Sequence, residues 1–296
     1  MTIKNNKNKQ MKKILFLTDF SEVAKNAFLY ALSLADNFNS ELHILHITPI
    51  IEPKTDEERY RVHPLAQIFN DSLENDEWNE FKTEAKKLEQ LAHNNNKLHV
   101  PVEFHFENGY FQDVIESHIV EKSIDLIVMG TSGNNTIDKK LFGSHAVRLI
   151  DSGFDIPILA VPAKAVFTST GAFAVAVMLV ENECVIIRRI ATKLSPSETP
   201  LKCVHIVDTE EKAMAAQQKK AHWLTNFEGL DVQVDIVIDT DIEDGLTKYV
   251  EDNYINILSI IHRQLPFMKR LFNINHSKRL LRLSETAMLI YNVEDK

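Results

Sequence analysis

The chain has 296 residues, of which 44% are hydrophobic and 25% charged, with few Gly and Pro. This length and composition favour two folded domains and exclude a disordered or fibrous chain. The net charge of -9 argues against a nucleic-acid binder, because such proteins hold phosphates with clustered Lys and Arg. Two cysteines are too few for a disulfide framework, and no apolar run is long enough to span a bilayer. A cytoplasmic location with no membrane partner is therefore expected.

Strand-like apolar runs alternate with amphipathic helical segments through the first half, the pattern of a parallel sheet with crossover helices. Strands are predicted at 14–18, 42–47, 100–106, 125–129 and 156–161, and helices at 23–38, 72–93 and 111–121. A polar connector at 48–71, which contains Pro49, Pro53 and Pro64, precedes the 72–93 helix. A lid, a partner surface and plain disorder are equally compatible with this connector.

The same series of elements begins again after a short linker at 163–170. Two pairs of segments match: LHILHI at 42–47 with LKCVHI at 201–206, and DLIVM at 125–129 with NILSI at 256–260. We therefore predict two tandem α/β domains, 11–164 and 170–294. Each is expected to hold a five-stranded parallel sheet with helices on both faces.

Three glycines and a serine, Gly130, Gly133, Gly143 and Ser144, follow the buried strand 125–129 and lead into a helix. In open α/β sheets, ligands bind beyond the carboxyl ends of the strands, and a helix N-terminus offers free backbone N–H groups to an anion. Glycine lets phosphate oxygens approach the backbone because it has no Cβ. Taken singly, each of these residues is more simply explained by a chain turn or a helix cap.

Together these residues match the pattern G-x2-G-x9-G-[ST], and in this the chain resembles the universal stress protein family. The segments KKILFLTDFSEVAKNA at 12–27 and GSHAVRLIDSGFDIPILAVP at 143–162 extend the resemblance. It implies Rossmann-like domains that bind ATP, with Mg²⁺ as an optional companion. The implied nucleotide contacts are Asp19, Ile47, Met129, Gly130, Gly133, Gly143 and Ser144. His145, directly after the motif, would either add a phosphate contact or crowd the site.

Asp19 also has a simpler interpretation, because an acidic residue before Ser21 and a helix can cap that helix. The second half offers no equivalent carboxylate, since Met178 or Leu179 aligns with Asp19. Four of its residues replace the glycine motif: Ile261, Gln264, Asn273 and Ile274. We therefore predict that the second domain does not bind ATP. Its basic residues are interpreted as a solvated loop, with the binding of some other anion as the alternative: His262, Arg263, Lys269 and Arg270.

His43 and His46 lie three positions apart on one strand, so they face opposite sides of the sheet and cannot jointly hold a metal. His99, His105 and His118 show no ligand spacing, so no metal site is predicted. The chain has no Walker A loop, GxGxxG or GxSxG motif, and no catalytic residue is identified.

The leading hypothesis is an ATP-binding stress-response or regulatory protein whose first domain holds the nucleotide. Occupancy of this domain would alter the stability of the protein or its binding to an unidentified protein partner. A slow ATPase and a non-nucleotide interaction protein with a vestigial site remain alternatives. The family resemblance further implies pairing of the last strands, 156–161 with 287–291, as an internal pseudo-dimer. A further homodimer is compatible with the sequence.

Overall fold

The computed structural model describes most of the chain, in six ranges: 11–48, 64–131, 144–169, 172–194, 200–262 and 285–292. Within these ranges the side chains of 64–75, Ser144 and His262 are not described. The strands are β1 Lys13–Leu17, β2 Glu41–Thr48, β3 Val102–Asn108, β4 Leu126–Gly130, β5 Ile158–Val161, β6 Ala172–Ala176, β7 Leu201–Val207, β8 Val232–Ile238, β9 Ile255–His262 and β10 Ala287–Asn292. The helices are α1 Glu22–Phe38, α2 Pro64–Asn94, α3 Phe111–Lys122, α4 Ser144–Ile150, α5 Cys184–Lys193, α6 Glu210–Leu224 and α7 Ile242–Asp252.

All the strands belong to one sheet in the order β3-β2-β1-β4-β5-β10-β9-β6-β7-β8. The first five in chain order are parallel to one another, and so are the last five. The two sets meet where β5 and β10 run antiparallel, with Leu159 opposite Leu289. The predicted α/β fold is confirmed, and so is the expected pairing of these two strands.

Apolar clusters cover both faces of this sheet, because alternate strand residues point to opposite sides. One cluster joins the strands to α1, α2, α5 and α6, and the other joins them to α3, α4 and α7. Phe16 and Phe28 are among the largest fully buried side chains of the first cluster. Helices therefore pack on both faces of the sheet. In each half, the carboxyl ends of the parallel strands lie at the same edge and lead into turns.

Two helix starts have clear local causes. The Ser21 hydroxyl accepts a hydrogen bond from the Ala24 N–H (3.2 Å), which caps α1. Helix α2 begins at Pro64, earlier than the predicted start at residue 72. The prediction placed Pro64 in the connector and was wrong there, because proline suits the first turn of a helix, where no N–H is needed.

The predicted linker at 163–170 contains no helix or strand between residues 163 and 169, and residue 170 lies outside the described ranges. Its start is tied to α1 by Asn26, whose Nδ2 donates to the carbonyls of Pro162 (2.9 Å) and Ala165 (3.1 Å). Among the described residues, no helix is both long and apolar enough to cross a membrane.

Candidate functional site

The carboxyl ends of β1, β2 and β4 lie side by side in the first half. The parallel register sets Leu17 opposite both Leu45 and Met129. Asp19 follows β1, Ile47 lies near the end of β2, and Met129 and Gly130 end β4. Four of the expected nucleotide contacts thus come from adjacent strand ends at one edge of the sheet, where open α/β sheets bind ligands.

The turn after β1 presents the Asp19 carboxylate at the surface. Asp19 is exposed, and its Oδ1 accepts a hydrogen bond from the Ser21 N–H at 3.0 Å. Phe20 has a positive φ of 57°, and its N–H donates to Thr18 Oγ1 at 2.9 Å. The cap of α1 is Ser21 rather than Asp19, so the simpler interpretation of Asp19 as the helix cap is wrong.

Gly130 lies at a close approach between β4 and the start of α1. A Cβ on Gly130 would lie 3.0 Å from Val23 Cγ1 and 3.4 Å from the Val23 backbone carbonyl. A side chain here would require Val23 to shift, so glycine is favoured by packing as well as being suited to ligand approach. Gly133 and Gly143 lie outside the described residues.

The last motif residue, Ser144, is the first residue of α4. His145 is exposed, and its ring centroid lies 5.2 Å from that of Phe111 at the start of α3. The His145 ring is therefore packed against α3, the helix that follows β3. Of the other expected contacts, Ile47 is half-buried and Met129 is buried.

An aromatic cluster lies beside the Asp19 turn, which sequence reasoning did not foresee. The ring centroids of Phe20 and His46 are 4.8 Å apart, and Phe81 of α2 lies 5.9 Å from Phe20. His46 Nδ1 lies 2.8 Å from the Thr18 carbonyl oxygen, to which it donates. His46 thus has a structural role at this turn. The contribution of Phe81 was hidden because the residues on either side of it, Glu80 and Lys82, are charged.

The second half has the same turn at the end of its first strand. Val177 N–H donates to the Val204 carbonyl (2.9 Å) as Thr18 N–H does to that of Leu45 (3.0 Å). Leu179 has a φ of 60°, like the 57° of Phe20. Met178 therefore occupies the position of Asp19, which resolves the two alignments that the sequence left open.

A buried carboxylate occupies the backbone donors of this second turn. Glu183 is 0% exposed, and its oxygens accept hydrogen bonds from Met178 N–H (2.8 Å) and Val180 N–H (3.2 Å). Burial raises the pKa of Glu183. An internal acidic side chain thus satisfies donors that would otherwise be open to a ligand.

Ile261 takes the place of Gly130, since β9 pairs with β6 in the register that β4 has with β1. It is fully buried in the same apolar cluster as Cys184 and Ile187 of α5. The other residues predicted to replace the motif, and most of the basic loop residues, lie outside the described ranges: Gln264, Asn273 and Ile274, and Arg263, Lys269 and Arg270. The described part of this edge is closed by a bulky side chain where the first half has a glycine.

Three potential metal ligands come together in the first half, although no metal site was predicted. His43, Glu103 and His105 place one ligand atom each within 4.8 Å of one another. His43 and His46 face opposite sides of the sheet, as expected, but His43 meets residues of β3 instead. The signal available in the sequence was the alternation of polar residues along two neighbouring strands.

The fold and the arrangement of this edge define an α/β protein of the Rossmann-like type, with candidate ligand contacts beyond its strand ends. The family model described as "Universal stress protein family" matches residues 11–162, more than half of the chain. The chain belongs to this family.

Individual relatives agree with this assignment. A universal stress protein of Methanocaldococcus jannaschii is 28% identical over 162 residues, which cover 54% of this chain and 86% of the relative. A universal stress protein structure from Archaeoglobus fulgidus has a TM-score of 0.57 at 14% identity and covers 96% of this chain and 99% of its own. A protein of unknown function from Pseudomonas aeruginosa has a TM-score of 0.56 at 14% identity, covering 96% and 94%. At such identity the two structures support the fold of nearly the whole chain, and no more.

Proposed function

We propose that this protein binds ATP at the carboxyl edge of β1, β2 and β4 and acts as a regulatory or stress-response protein. The observation that carries the proposal is the pairing of an exposed carboxylate, Asp19, with a glycine, Gly130, at adjacent strand ends. Membership of the universal stress protein family agrees with nucleotide binding at this edge. The proposed contacts are Asp19, Ile47, Met129, Gly130, Gly133, Gly143, Ser144 and His145.

The residues present fit a nucleotide in chemical terms. The Asp19 carboxylate can accept a hydrogen bond from an adenine amino group or a ribose hydroxyl. Gly130 offers backbone that no side chain shields, which suits the approach of a ribose or phosphate oxygen. Mg²⁺ would accompany the phosphates, since the proposed contacts include no Lys or Arg to balance their negative charge.

We propose one nucleotide per chain, held in a first domain at 11–164, with a second domain at 170–294 that holds none. Glu183 already occupies the turn donors of the second half, and Met178 supplies no carboxylate. The antiparallel contact of β5 with β10 supports an internal pair of such domains. We further propose a cytoplasmic location and a protein partner that responds to nucleotide occupancy of the first half.

Calorimetric titration of the full chain with ATP and Mg²⁺ tests this proposal. We expect saturable binding with a stoichiometry of one, and loss of affinity in Asp19→Ala but not in the matched Met178→Ala variant. A stoichiometry of two would contradict the asymmetry of the halves. Absence of binding at millimolar ATP would leave the non-nucleotide alternative, in which the glycine motif is vestigial.

Slow ATP hydrolysis is the second candidate, and it requires a separate measurement. The described residues at this edge include a carboxylate, Asp19, but its Oδ1 already accepts the Ser21 N–H. A release of ADP by the wild type that is faster than release by Asp19→Ala or Gly130→Val would establish the enzyme. Equal rates in all three would assign ATP a role as a bound signal or structural ligand.

A further inference from the structure

His43, Glu103 and His105 lie on two adjacent strands and face the same side of the sheet. The register of β2 and β3 sets His43 opposite Glu103, and Leu45 opposite His105. Since alternate residues share a face, all three side chains point toward the side covered by α3. This cluster is separate from the proposed nucleotide contacts, which lie beyond the strand ends.

The distances among the three side chains match those of a tetrahedral metal site. His43 Nδ1 lies 3.1 Å from His105 Nε2 and 3.4 Å from Glu103 Oε2. His105 Nε2 lies 3.7 Å from Glu103 Oε1. Zinc ligands about 2.1 Å from the ion at tetrahedral angles are about 3.4 Å from one another. Each imidazole nitrogen therefore lies near this spacing from the other nitrogen and from one of the two Glu103 oxygens.

The two nitrogens that would face the ion already contact each other, since His43 Nδ1 and His105 Nε2 form a hydrogen bond. A metal ion would displace the proton that these two nitrogens share, and both rings would then coordinate as neutral imidazoles. Glu103 is exposed and adds a negative charge that the ion can reach from solvent.

The outer nitrogen of His43 gives independent evidence. His43 is 2% exposed, and its Nε2 is buried without a hydrogen-bond partner. The Glu41 Oε2 atom lies 3.7 Å from this nitrogen. If a metal occupies Nδ1, the ring proton must sit on Nε2, and the exposed Glu41 side chain can turn to accept it. Carboxylate partners of this kind are usual for histidines that bind metals.

We propose that His43, Glu103 and His105 bind a divalent transition-metal ion, zinc by preference, with a fourth position for water. Two imidazoles and one carboxylate suit zinc, whereas magnesium and calcium prefer oxygen ligands. Without the ion, Lys122 Nζ pairs with Glu103 Oε1 at 3.3 Å. The metal competes with this ammonium group for the carboxylate.

The second half lacks this site. The same register positions hold Lys202, Gln233 and Asp235. Lys202 Nζ donates to Asn253 Oδ1 at 2.6 Å, and Asp235 accepts a hydrogen bond from the Tyr249 hydroxyl at 2.6 Å. An ammonium group in the place of His43 repels a cation, so one metal ion per chain is expected.

The test uses the untagged full chain, freed of metal with a chelator and titrated with zinc in competition with a chromogenic chelator. We expect one zinc per chain, and a visible absorption band of tetrahedral cobalt when Co²⁺ is used instead. Glu103→Gln should weaken zinc binding by more than about tenfold, and the double variant His43→Gln/His105→Gln should abolish it. Glu41→Gln should weaken it by about tenfold.

His99→Gln is the matched control, since His99 is an exposed histidine that pairs with Asp36. It should bind zinc like the wild type. Because Glu103 is exposed, Glu103→Gln should keep the wild-type circular dichroism spectrum, and its affinity decides the question even if the double variant does not fold. Equal zinc affinity in the wild type and Glu103→Gln, or no zinc uptake by the wild type, would overturn the proposal.

Discussion

The two halves place the same turn after their first strand but satisfy its backbone donors in different ways. In the first half, Asp19 accepts the Ser21 N–H from within the turn, and its carboxylate remains exposed. In the second half, Glu183 reaches back from the following 3-10 turn and is completely buried against Met178 and Val180. A similar turn can therefore expose a carboxylate that is available to a ligand, or bury a carboxylate that occupies the backbone N–H groups of the turn.

The two halves also differ in where the helix after the first strand begins. Helix α1 approaches β4 so closely that a Cβ at position 130 would lie 3.0 Å from Val23 Cγ1. In the second half, α5 begins later in its repeat, at Cys184, and Ile261 is buried in the cluster that contains this helix. An early helix start thus goes with a glycine at the strand end in the first half, and a later helix start goes with a buried isoleucine in the second half. Only the first half leaves this strand end without a side chain.

Among the substitutions that test this difference between the halves, Gly130→Val should have the largest effect on stability and ATP affinity. The added methyl groups would meet Val23, so we expect a loss of about 1 to 3 kcal/mol of stability and a fall of more than tenfold in ATP affinity. Urea unfolding and calorimetry measure the two effects. Ile261→Val is the control, with a stability loss of about 0.5 to 1.5 kcal/mol and unchanged ATP affinity. If ATP affinity instead fell in Ile261→Val, the site would not belong to the first half alone.

The second largest effect is expected for Glu183→Ala, which should lower the stability of the second half. It leaves the N–H groups of Met178 and Val180 without their acceptor, so we expect a loss of about 2 to 3 kcal/mol in the free energy of unfolding. The exposed Glu181 provides the control, since Glu181→Ala should change stability by less than about 0.5 kcal/mol. Equal effects of the two substitutions would show that Glu183 does not organise its turn.

Asp19→Ala should affect ligand binding more than stability. Its bond to Ser21 lies at an exposed position, so we expect a stability loss below about 1 kcal/mol. Loss of a carboxylate hydrogen bond to the nucleotide should lower ATP affinity by about tenfold, or about 1.4 kcal/mol. Calorimetry compares the ATP affinities of Asp19→Ala and Met178→Ala. Similar affinities in the two variants would show that Asp19 does not contact the nucleotide.

The smallest expected effect is a pH dependence that belongs to the second half. Burial raises the pKa of Glu183 above its ordinary value of 4.5, so the folded state binds the proton more tightly than the unfolded chain. The stability that this proton contributes is present below pH 4.5 and is lost as the pH rises through the folded pKa. Urea unfolding between pH 4 and pH 7 should show this component in the wild type and not in Glu183→Gln. Parallel pH profiles would contradict it.

The local patterns of the chain predicted most of the fold. The strand at 42–47 and the helix at 23–38 appear as β2 and α1 with ends shifted by one residue, because apolar periodicity reports the buried face of each element. The start of α2 was missed, since Pro64 favours both loops and first helical turns. Met178 and Leu179 could be separated as equivalents of Asp19 only when the strand register was known.

The sequence by itself determined the repeat of elements, the glycine motif of the first half and its loss in the second, since these depend on residue order alone. Only the tertiary structure placed Glu183 in the second turn, Gly130 against Val23, and His43 beside His105, 62 residues away. Such contacts depend on strand register and helix packing, which combine distant segments and leave no fixed spacing in the chain.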